Sequence, residues 1–488
     1  MALVATNAVA QDGLPDPAFG YLGRSYLYWN EQAAGDPPEN FAHAAAVQRD
    51  GRIVLAGPIN DYDFFCGGST TSIGISRLLA DGSFDASFGD AATPGQTVIH
   101  AGCQHGFAGN AVAIQDDGRI VVAGSDFFLG LQYASAWRLL ANGAVDAGFG
   151  GSGQARLVRA TGLAPDDRAW SLVVGTGEDR NGIPRDWLAI AGGVRDGAGD
   201  GVRRGAVFVL DGEGDYRPGG NYSDPDGTQY FRLGVFSAGA PLDNEFYAFG
   251  GCTANEIPRC YAVGYAMGGS PLRPIGTLEV MRWPDFAGEF FVSWSFDPAT
   301  VNAAASVPTS VAYDRLRRRV WVGGTVRPLG ASDDRMGVAA FLPSGPLDTS
   351  VLGGNGRAMF DFSVPPAYTG HAQSNGIVVQ RDGRIVLGGW FYWNDLADDA
   401  RFAALRLHDD GSPDGSFGDF SSALPGVQAG QVAIAGAAAE TRATSLAFVA
   451  GEKLLLGGYT HDYNVAGAWY FAAVQLTGDL IFADGCDD

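Results

Sequence analysis

The hydrophobic positions of this chain fall in short runs that are bounded by glycine or by an Asp-Gly pair. The clearest runs are RDGRIVLAG at 49–57, DDGRIVVAG at 116–124 and RDGRIVLGG at 381–389. Asp-Gly after a polar residue indicates a tight turn, because glycine adopts positive φ without steric cost. The β-branched run that follows is short, which predicts a buried strand. Near-identical copies in one chain predict a repeat architecture.

The glycines that follow these runs, which we interpret as the ends of second strands, recur at a regular period. They are Gly57, Gly124, Gly192, Gly250, Gly323, Gly388 and Gly457. Their separations are 67, 68, 58, 73, 65 and 69 residues. Seven copies of this length are too long for solenoid coils and match propeller blades with long loops.

Each copy predicts four strands. A run of small and β-branched residues, such as AVAIQ from Ala111, precedes the Asp-Gly turn and is placed innermost as strand a. Strands b and c follow, and then a second signature appears at 81–89, 142–150 and 410–418, with a stretched version at 344–354. Its central Asp is expected to cap the turn and its Phe to anchor the turn in the core. An outer strand d completes the copy.

The N-terminus predicts how the ring closes. The segment 12–20 is a second signature with no strands a to c before it, whereas the last copy ends near Gly478 without a strand d. The first strand, from Tyr21, should therefore complete the last blade and leave no open edge. The prediction is an all-β, single seven-bladed propeller over 11–480, with four-stranded antiparallel blades. Residues 1–10 are a possible signal-peptide remnant and 481–488 a C-terminal tail. Between Gly192 and Asp314 the second signature is absent, so the sequence does not define strands there.

These motifs resemble a known family. DGRIVLAG followed by RLLADGSFDASFG is similar to the delta-60 repeat of predicted secreted or surface bacterial propellers, most closely in copies one, two and six. The resemblance implies the propeller fold and no particular chemistry. The segment 481–485, IFADG, is similar to a short C-terminal tail of many exported gamma-proteobacterial proteins, although Cys486 stands where an aromatic residue is usual.

Charge and cysteine content bear on compartment and partners. The net charge is −22 and Lys453 is the only lysine, which argues against nucleic acid and anionic membranes as partners. No stretch reaches the ~20 apolar residues of a membrane span. Ala8-Val9-Ala10 before Gln11 matches a signal-peptidase site, the alternative being a disordered start. Cys252 and Cys260 predict a disulfide across a loop, with free thiols or metal as alternatives. We therefore expect a secreted, periplasmic or cell-surface protein.

The b–c and d–a loops should share one face of the ring, where function is usual. This placement predicts a second disulfide, Cys66 to Cys103. The b–c loops mix aromatic residues with Asp and Asn, which suits an unknown saccharide, peptide or protein ligand, unless the rings only cover gaps between blades. The candidate ligand-binding residues are Tyr62, Asp63, Phe65, Phe127, Phe128, Trp390, Tyr392, Trp393, His461 and Tyr463.

Catalytic and metal sites have weaker support. His100, Cys103 and His105 lie close together, but no second cluster has metal-ligand spacing, so ordinary loop histidines are the interpretation and no metal or cofactor is predicted. No nucleophile elbow, P-loop or zinc-protease motif occurs. The sequence thus favours a non-enzymatic binding propeller. The alternatives are a hydrolytic, for example carbohydrate-active, propeller in which Asp63, Asp126, Asp395 and Asp462 converge, and a purely structural module.

Overall fold

Seven four-stranded antiparallel sheets form the whole of the described fold. The structure is a computed structural model, and it describes residues 13–29, 39–63, 68–157, 165–178, 184–195, 202–215, 228–230, 243–252, 259–268, 272–282, 287–299, 305–362, 371–392, 400–418, 430–434, 440–449, 453–462 and 468–477. The proposed signal remnant at 1–10 and the tail at 481–488 lie outside these ranges.

The strands are numbered in chain order, and each blade holds its strands in the order a, b, c, d. Strand β1 (Arg24–Leu27) is the outer strand of blade 7. Blade 1 comprises β2 (Ala44–Val47), β3 (Ile53–Asp63), β4 (Gly68–Leu78) and β5 (Gln96–Ile99). Blade 2 comprises β6 (His105–Ile114), β7 (Ile120–Phe128), β8 (Leu131–Leu139) and β9 (Gln154–Arg156). Blade 3 comprises β10 (Arg168–Glu178), β11 (Pro184–Arg195), β12 (Arg203–Asp211) and β13 (Thr228–Tyr230).

The other four blades follow the same plan. Blade 4 comprises β14 (Asn244–Gly250), β15 (Arg259–Gly268), β16 (Arg273–Arg282) and β17 (Ala287–Trp294). Blade 5 comprises β18 (Ala305–Asp314), β19 (Arg319–Arg327), β20 (Arg335–Phe341) and β21 (Arg357–Phe360). Blade 6 comprises β22 (Ala372–Val379), β23 (Ile385–Tyr392), β24 (Ala400–Leu407) and β25 (Gln431–Ile434). Blade 7 comprises β26 (Glu440–Val449), β27 (Lys453–Asp462) and β28 (Ala468–Leu476), completed by β1. Two 3-10 helices, Phe149–Gly151 and Leu352–Gly354, lie in c–d connections.

The predicted ring and its closure are confirmed. The first strand of each blade contacts the first strands of both neighbouring blades, so strand a is innermost. Strand β1 pairs with β28, with Leu27 opposite Phe471, and supplies the fourth strand of blade 7 from the N-terminal end of the chain. Closure removes the free edges that an open sheet would expose.

The interpretation of the repeating glycines as strand ends is wrong in two respects. Gly57 lies inside β3, which continues to Asp63, and the other second strands also run on past their glycine. Gly250 belongs to β14, a first strand, and Gly264 occupies the equivalent place in β15. The blade 4 error arose because that copy has no Asp-Gly turn to align it.

These glycines are required by a close approach between strands a and b. Strand a has a β-bulge in each of blades 2 to 7, for example between Gly109 and Ala111. Opposite it, a Cβ on Gly124 would overlap the carbonyl oxygen of Ala108. The same overlap would arise at Gly192 and Gly264, at Gly57 with the carbonyl of Phe41 just before strand a, and in blades 5 to 7 at Gly324, Gly389 and Gly458, each one residue after the repeating glycine. A glycine at the repeating position or one residue after it therefore lies opposite the bulge in blades 2, 3, 5, 6 and 7, Gly264 does so in blade 4, and β pairing continues beyond it.

The second signature folds as expected, and its central Asp also forms an ion pair with a basic side chain. Asp85 accepts the backbone N–H of Ser87, and its other oxygen accepts the Nε of Arg77 at 2.8 Å. The guanidinium of Arg77 lies 4.5 Å from the ring centroid of the signature residue Phe88, which is fully buried. The equivalent ion pairs in blades 2 and 6 are Arg138–Asp146 and Arg406–Asp414, whereas in blades 5 and 7 the basic residue comes from the start of strand b, in the pairs Arg319–Asp348 and Lys453–Asp16. Each turn is thus fixed by a charge-assisted hydrogen bond.

Signature residues also join consecutive blades. A Cβ on Gly143 of blade 2 would lie 2.9 Å from the ring of Phe88 in blade 1, so the glycine leaves room for that ring. The same contact joins Phe417 to Gly13 and Phe19 to Gly82, which carries the series through the N-terminal segment. Blade 3 keeps a relative of this turn at 211–215, where Gly214 lies against Phe149. The sequence did not reveal this turn because Arg217 and Gly220 stand where the other copies have the signature's Asp and Phe.

The predicted disulfide between Cys252 and Cys260 is confirmed. It joins the end of blade 4's first strand to the start of its second, where the regular blades have an Asp-Gly turn. A covalent link across a short loop restricts the unfolded chain, and here it stands in for the missing turn residues.

Candidate functional site

The two faces of the ring differ in construction. Short a–b and c–d turns form one face, which we call the turn face. The b–c and d–a connections form the other, the loop face, because antiparallel strands in a fixed order return alternate connections to the same side. Gly51, Gly118 and Gly383 on the turn face have φ of 83°, 86° and 91°, as the Asp-Gly turns require. The candidate residues belong to the loop face.

The innermost strands present a ring of bulge residues around the axis. We call it the axial bulge ring; its members are the bulge residues Asn110, Trp170, Tyr247, Thr309, Asn375 and Thr444 of blades 2 to 7, and His43, which precedes β2 at the corresponding place in blade 1. All seven are partly buried. Four of them donate to the carbonyl that precedes the next blade's bulge residue: Asn110 to Ala169 at 2.9 Å, Thr309 to Ser374 at 2.5 Å, Asn375 to Ala443 at 2.8 Å and Thr444 to Ala42 at 2.7 Å.

His43 links the ring across blades 1 and 2. Its Nδ1 lies 3.1 Å from Oδ1 of Asn110. Burial lowers the pKa of His43, and the bond to Asn110 opposes that shift only in part. A neutral imidazole at the axis is therefore favoured. His43 and Asn110 form hydrogen bonds to neighbouring blades, so this part of the axial bulge ring holds the blades together.

An acidic residue that the sequence did not single out lies beside the axis in blade 4. Glu245 accepts Nε1 of Trp170 at 2.7 Å, and Nη1 of Arg168 lies 3.8 Å from its other oxygen. Burial raises the pKa of Glu245. The rings of Trp170 and Tyr247 are in contact, with centroids 5.7 Å apart. Glu245 lies two residues before the bulge residue Tyr247, and this relationship can be identified only when the strand register is known.

An aromatic group on the loop face spans blades 6, 7 and 1. We call it the Arg442 cluster: Phe41, Trp390, Tyr392, Arg442, Tyr459 and Trp469. Phe41, Tyr459 and Trp469 contact one another with ring centroids 4.9, 5.4 and 5.5 Å apart. The guanidinium of Arg442 lies 4.7 Å from the centroid of Trp390 and donates to the hydroxyl of Tyr392 at 2.9 Å.

The charged groups of the Arg442 cluster are held by neighbouring side chains. Glu440 lies 2.5 Å from Nη2 of Arg442. Burial alone would lower the pKa of Arg442, but Tyr459, Glu440 and Tyr392 together raise it. Burial raises the pKa of Tyr459, so that hydroxyl stays protonated. The result is a half-buried surface of rings with one guanidinium, one carboxylate and two phenols.

The predicted residues are distributed unevenly. Trp390 is only 8% exposed and lies against Arg442 of the next blade, so it joins blades as much as it faces solvent. His461 is partly buried with its ring 4.5 Å from that of Trp469, at the edge of the Arg442 cluster. Phe65, Trp393 and Tyr463 lie outside the described residues. Tyr62 and Asp63 end β3, where the structure describes the backbone alone.

Phe127 and Phe128 form the tip of blade 2, away from the Arg442 cluster. Phe127 is 44% exposed. Phe128 stacks on His105 with ring centroids 4.3 Å apart. Of the four carboxylates considered for hydrolysis, only Asp126 has a described side chain, and it is fully buried against Arg156. The candidate residues are thus divided between at least two places.

The cysteine and metal predictions have different outcomes. Cys103 is disulfide-bonded, and Cys66 lies outside the described residues, so their pairing stays a prediction. In the described ranges, no three His, Cys, Asp or Glu side chains are arranged to hold one metal ion. Nor does this part of the chain contain a helix long and apolar enough to cross a membrane.

Comparison with protein families adds to this description. A family model described as a domain of unknown function (DUF5122) β-propeller matches residues 48–88, 115–149 and 380–417. The chain is similar to a propeller repeat family. The matched segments lie in blades 1, 2 and 6, where the two signatures are most regular. No curated protein matches the sequence.

Several solved structures are similar to this chain at a low level. The Dos1 propeller is 10% identical with a TM-score of 0.40, over 93% of this chain and 95% of that one. Polysaccharide lyase Uly1 is 11% identical with a TM-score of 0.39, over 96% and 97%. The NanB sialidase from Streptococcus pneumoniae is 9% identical with a TM-score of 0.35, over 92% and 70%. Values this low carry no argument about activity.

Proposed function

We propose that this protein is a non-enzymatic propeller that binds a ligand on its loop face at the Arg442 cluster. The supporting observation is the contact among Phe41, Tyr459 and Trp469, three half-buried rings contributed by blades 1 and 7. Partly exposed rings beside fixed polar groups suit a ligand with both an apolar face and hydrogen-bonding groups, such as a saccharide or a peptide.

The electrostatics favour binding over hydrolysis at this cluster. Its carboxylate, Glu440, is paired with Arg442 at 2.5 Å, and Arg442 is itself held by Tyr392. Glycoside hydrolysis generally uses two carboxyl groups, whereas Glu440 is the one carboxylate that this cluster has among the described residues. The cluster therefore offers recognition groups without an acid–base pair.

The export of the protein is part of the proposal. The Cys252–Cys260 disulfide is typical of an oxidising compartment. We propose a secreted, periplasmic or cell-surface propeller over 11–480, preceded by a signal remnant and followed by a tail. The delta-60 resemblance of the repeats is consistent with this location.

A ligand panel tests the proposal. Isothermal titration and thermal unfolding would be recorded with soluble oligosaccharides and with peptides, on the wild type and on Phe41→Ala and Trp469→Ala. A ligand at 100 times its Kd should stabilise the fold by about 2.7 kcal/mol. Both variants should lose that stabilisation.

The matched control is Phe84→Ala. Phe84 is 40% exposed and lies in a c–d turn. The substitution Phe84→Ala therefore removes an exposed ring from the turn face and leaves the loop face unchanged. Binding that survives Phe41→Ala and Trp469→Ala, or that Phe84→Ala removes equally, would contradict a site at the Arg442 cluster. Turnover of a panel oligosaccharide would contradict the non-enzymatic part.

A further inference from the structure

Blade 2 holds a histidine–aspartate pair that the proposed function does not use. Nδ1 of His105 lies 2.9 Å from Oδ1 of Asp126, whose side chain is fully buried. The other oxygen of Asp126 accepts Nε2 of Gln154 at 3.0 Å and Nε of Arg156 at 2.9 Å. Because a carboxylate beside a guanidinium is an acceptor only, Nδ1 of His105 must be the donor. With the hydrogen on Nδ1, Nε2 is the ring nitrogen that is able to accept a hydrogen bond.

The imidazole is held in one orientation from several sides. Its ring stacks on Phe128 with an interplanar angle of 20°, and Phe107 contacts its edge at 5.9 Å between centroids. The guanidinium of Arg156, which fixes Asp126, lies 4.8 Å from the ring centroid of Tyr133. A side chain locked by its neighbours is typical of a preorganised site.

The backbone before His105 is also constrained. Cys103 is disulfide-bonded, and Gln104 has φ of 68°, in the left-handed region that residues other than glycine rarely adopt. The hairpin tip that follows Phe128 repeats this feature, since Leu129 has φ of 51°. Backbone conformations of this kind cluster at functional sites. Within the described ranges, these are the two non-glycine residues of positive φ on the loop face.

The tip beside the histidine is apolar and open. Phe127 is 44% exposed and Leu129 is 64% exposed. The Nε2 of His105 has no hydrogen-bond partner among the described residues, and the His105 side chain is 23% exposed. A hydrogen-bond acceptor of fixed direction therefore lies beside an exposed apolar surface.

We infer that this surface is a second binding site, in which His105 Nε2 accepts a hydroxyl hydrogen of a neutral saccharide and Phe127 contacts the sugar ring. The chemistry selects this class. Nε2 as an acceptor requires a donor from the ligand. The net charge of −22 disfavours an anionic ligand, and Arg156 disfavours a cationic one. A ligand that is neutral, rich in hydroxyl groups and partly apolar remains.

Titration calorimetry with neutral hexasaccharides tests the inference. The probes are cellohexaose, xylohexaose, maltohexaose and chitohexaose, each with the wild type, His105→Phe and His105→Gln. Phenylalanine keeps the stack on Phe128 and removes the acceptor, whereas glutamine retains an acceptor oxygen. The expected result is that at least one probe binds, that His105→Phe weakens it about 10-fold, as the loss of one hydrogen bond implies, and that His105→Gln restores part of the loss.

Three controls make the outcome decisive. Thermal unfolding of each variant checks that the fold is intact. Phe127→Ala should weaken the same probe. Phe84→Ala, on the turn face and outside both sites, should leave this binding unchanged. If no hexasaccharide binds, or if His105→Phe binds as the wild type does, the inference is overturned. Loss of binding in Phe41→Ala with retention in His105→Phe would overturn it while leaving the proposed function in place.

Discussion

The hydroxyl of Thr444 in blade 7 donates to the carbonyl oxygen of Ala42 at the entrance to blade 1, over 2.7 Å and 402 residues of sequence. The same bond joins Thr309 of blade 5 to Ser374 of blade 6. The interface at which the ring closes is therefore built like an internal one, although its two sides come from opposite ends of the chain.

Replacing Thr444 by valine should remove this closing bond with little change of shape. We expect a loss of about 1 kcal/mol in the free energy of unfolding, the usual net contribution of one hydrogen bond. Thr309→Val is the matched internal change and should cost a similar amount. Urea unfolding of both variants measures the two losses. A much larger loss for Thr444→Val would contradict the equivalence of the two interfaces.

Asp414→Asn should be far more damaging than its position in a turn suggests. Arg406 is fully buried and donates to Asp414 at 2.7 Å. Burial opposes ionisation, but hydrogen bonds from Ser416 and the charge of Arg406 lower the pKa of Asp414 to about 2. Removing one partner of a buried pair leaves the other charge uncompensated, so we expect a loss of about 3–5 kcal/mol.

The pH dependence of this contribution has a definite sign. A carboxyl whose folded pKa lies below its unfolded value of about 3.9 stabilises the fold above that pH. The stability should be lost as pH falls from about 4 towards 2, and Asp414→Asn should remove this part of the acid sensitivity. Asp410→Asn is the control, since Asp410 is exposed and only caps the same turn. A comparable loss in both variants would contradict the buried-pair explanation.

Gly124→Ala tests the bulge opposite the repeating glycine. A Cβ there would overlap the carbonyl oxygen of Ala108, so strand a would have to move. We expect a loss of about 2–3 kcal/mol or more, as for other forced overpacking. Gly106→Ala in the same blade is the control, because the nearest atom to its added Cβ is 3.8 Å away. Chemical denaturation compares them, and a small loss at Gly124 would contradict the explanation.

Glu279 should make the protein less stable as pH rises. It lies in β16 between Ala262 and Phe291, in an apolar layer between blades, and is 7% exposed. Burial raises the pKa of Glu279 to about 8. From about pH 4.5 to 8 the unfolded chain gives up this proton while the folded chain keeps it, so folding loses stability across that window.

The matched variant is Glu279→Gln, which keeps the shape and cannot ionise. It should equal the wild type within about 1 kcal/mol at pH 4.5 and exceed it at pH 9 by on the order of 2–4 kcal/mol, at about 1.4 kcal/mol per unit of pKa. Urea midpoints at the two pH values give the difference. If Glu279→Gln and the wild type differed in stability by the same amount at pH 4.5 and at pH 9, ionisation of Glu279 would not be the cause of the difference.

The architecture could be predicted from the sequence because the interactions that define a blade are local. Arg77 and Asp85 are eight residues apart, and the turn glycine, the capping Asp and the Phe lie within one signature. Such contacts recur as motifs at a fixed spacing. Closure followed from the same logic, since the N-terminal signature lacks its strands and the last copy lacks its outer one.

The strand register and the sites were decided only by the tertiary structure. The role of the repeating glycine depends on a bulge in the neighbouring strand, which leaves no mark at the glycine itself. Trp170 and Glu245 are 75 residues apart, and Arg442 meets Tyr392 from 50 residues away. These contacts between blades join residues of different copies, at strand positions whose residue types do not repeat. Their partners are chosen by the packing of one blade on the next, and no local pattern encodes that choice.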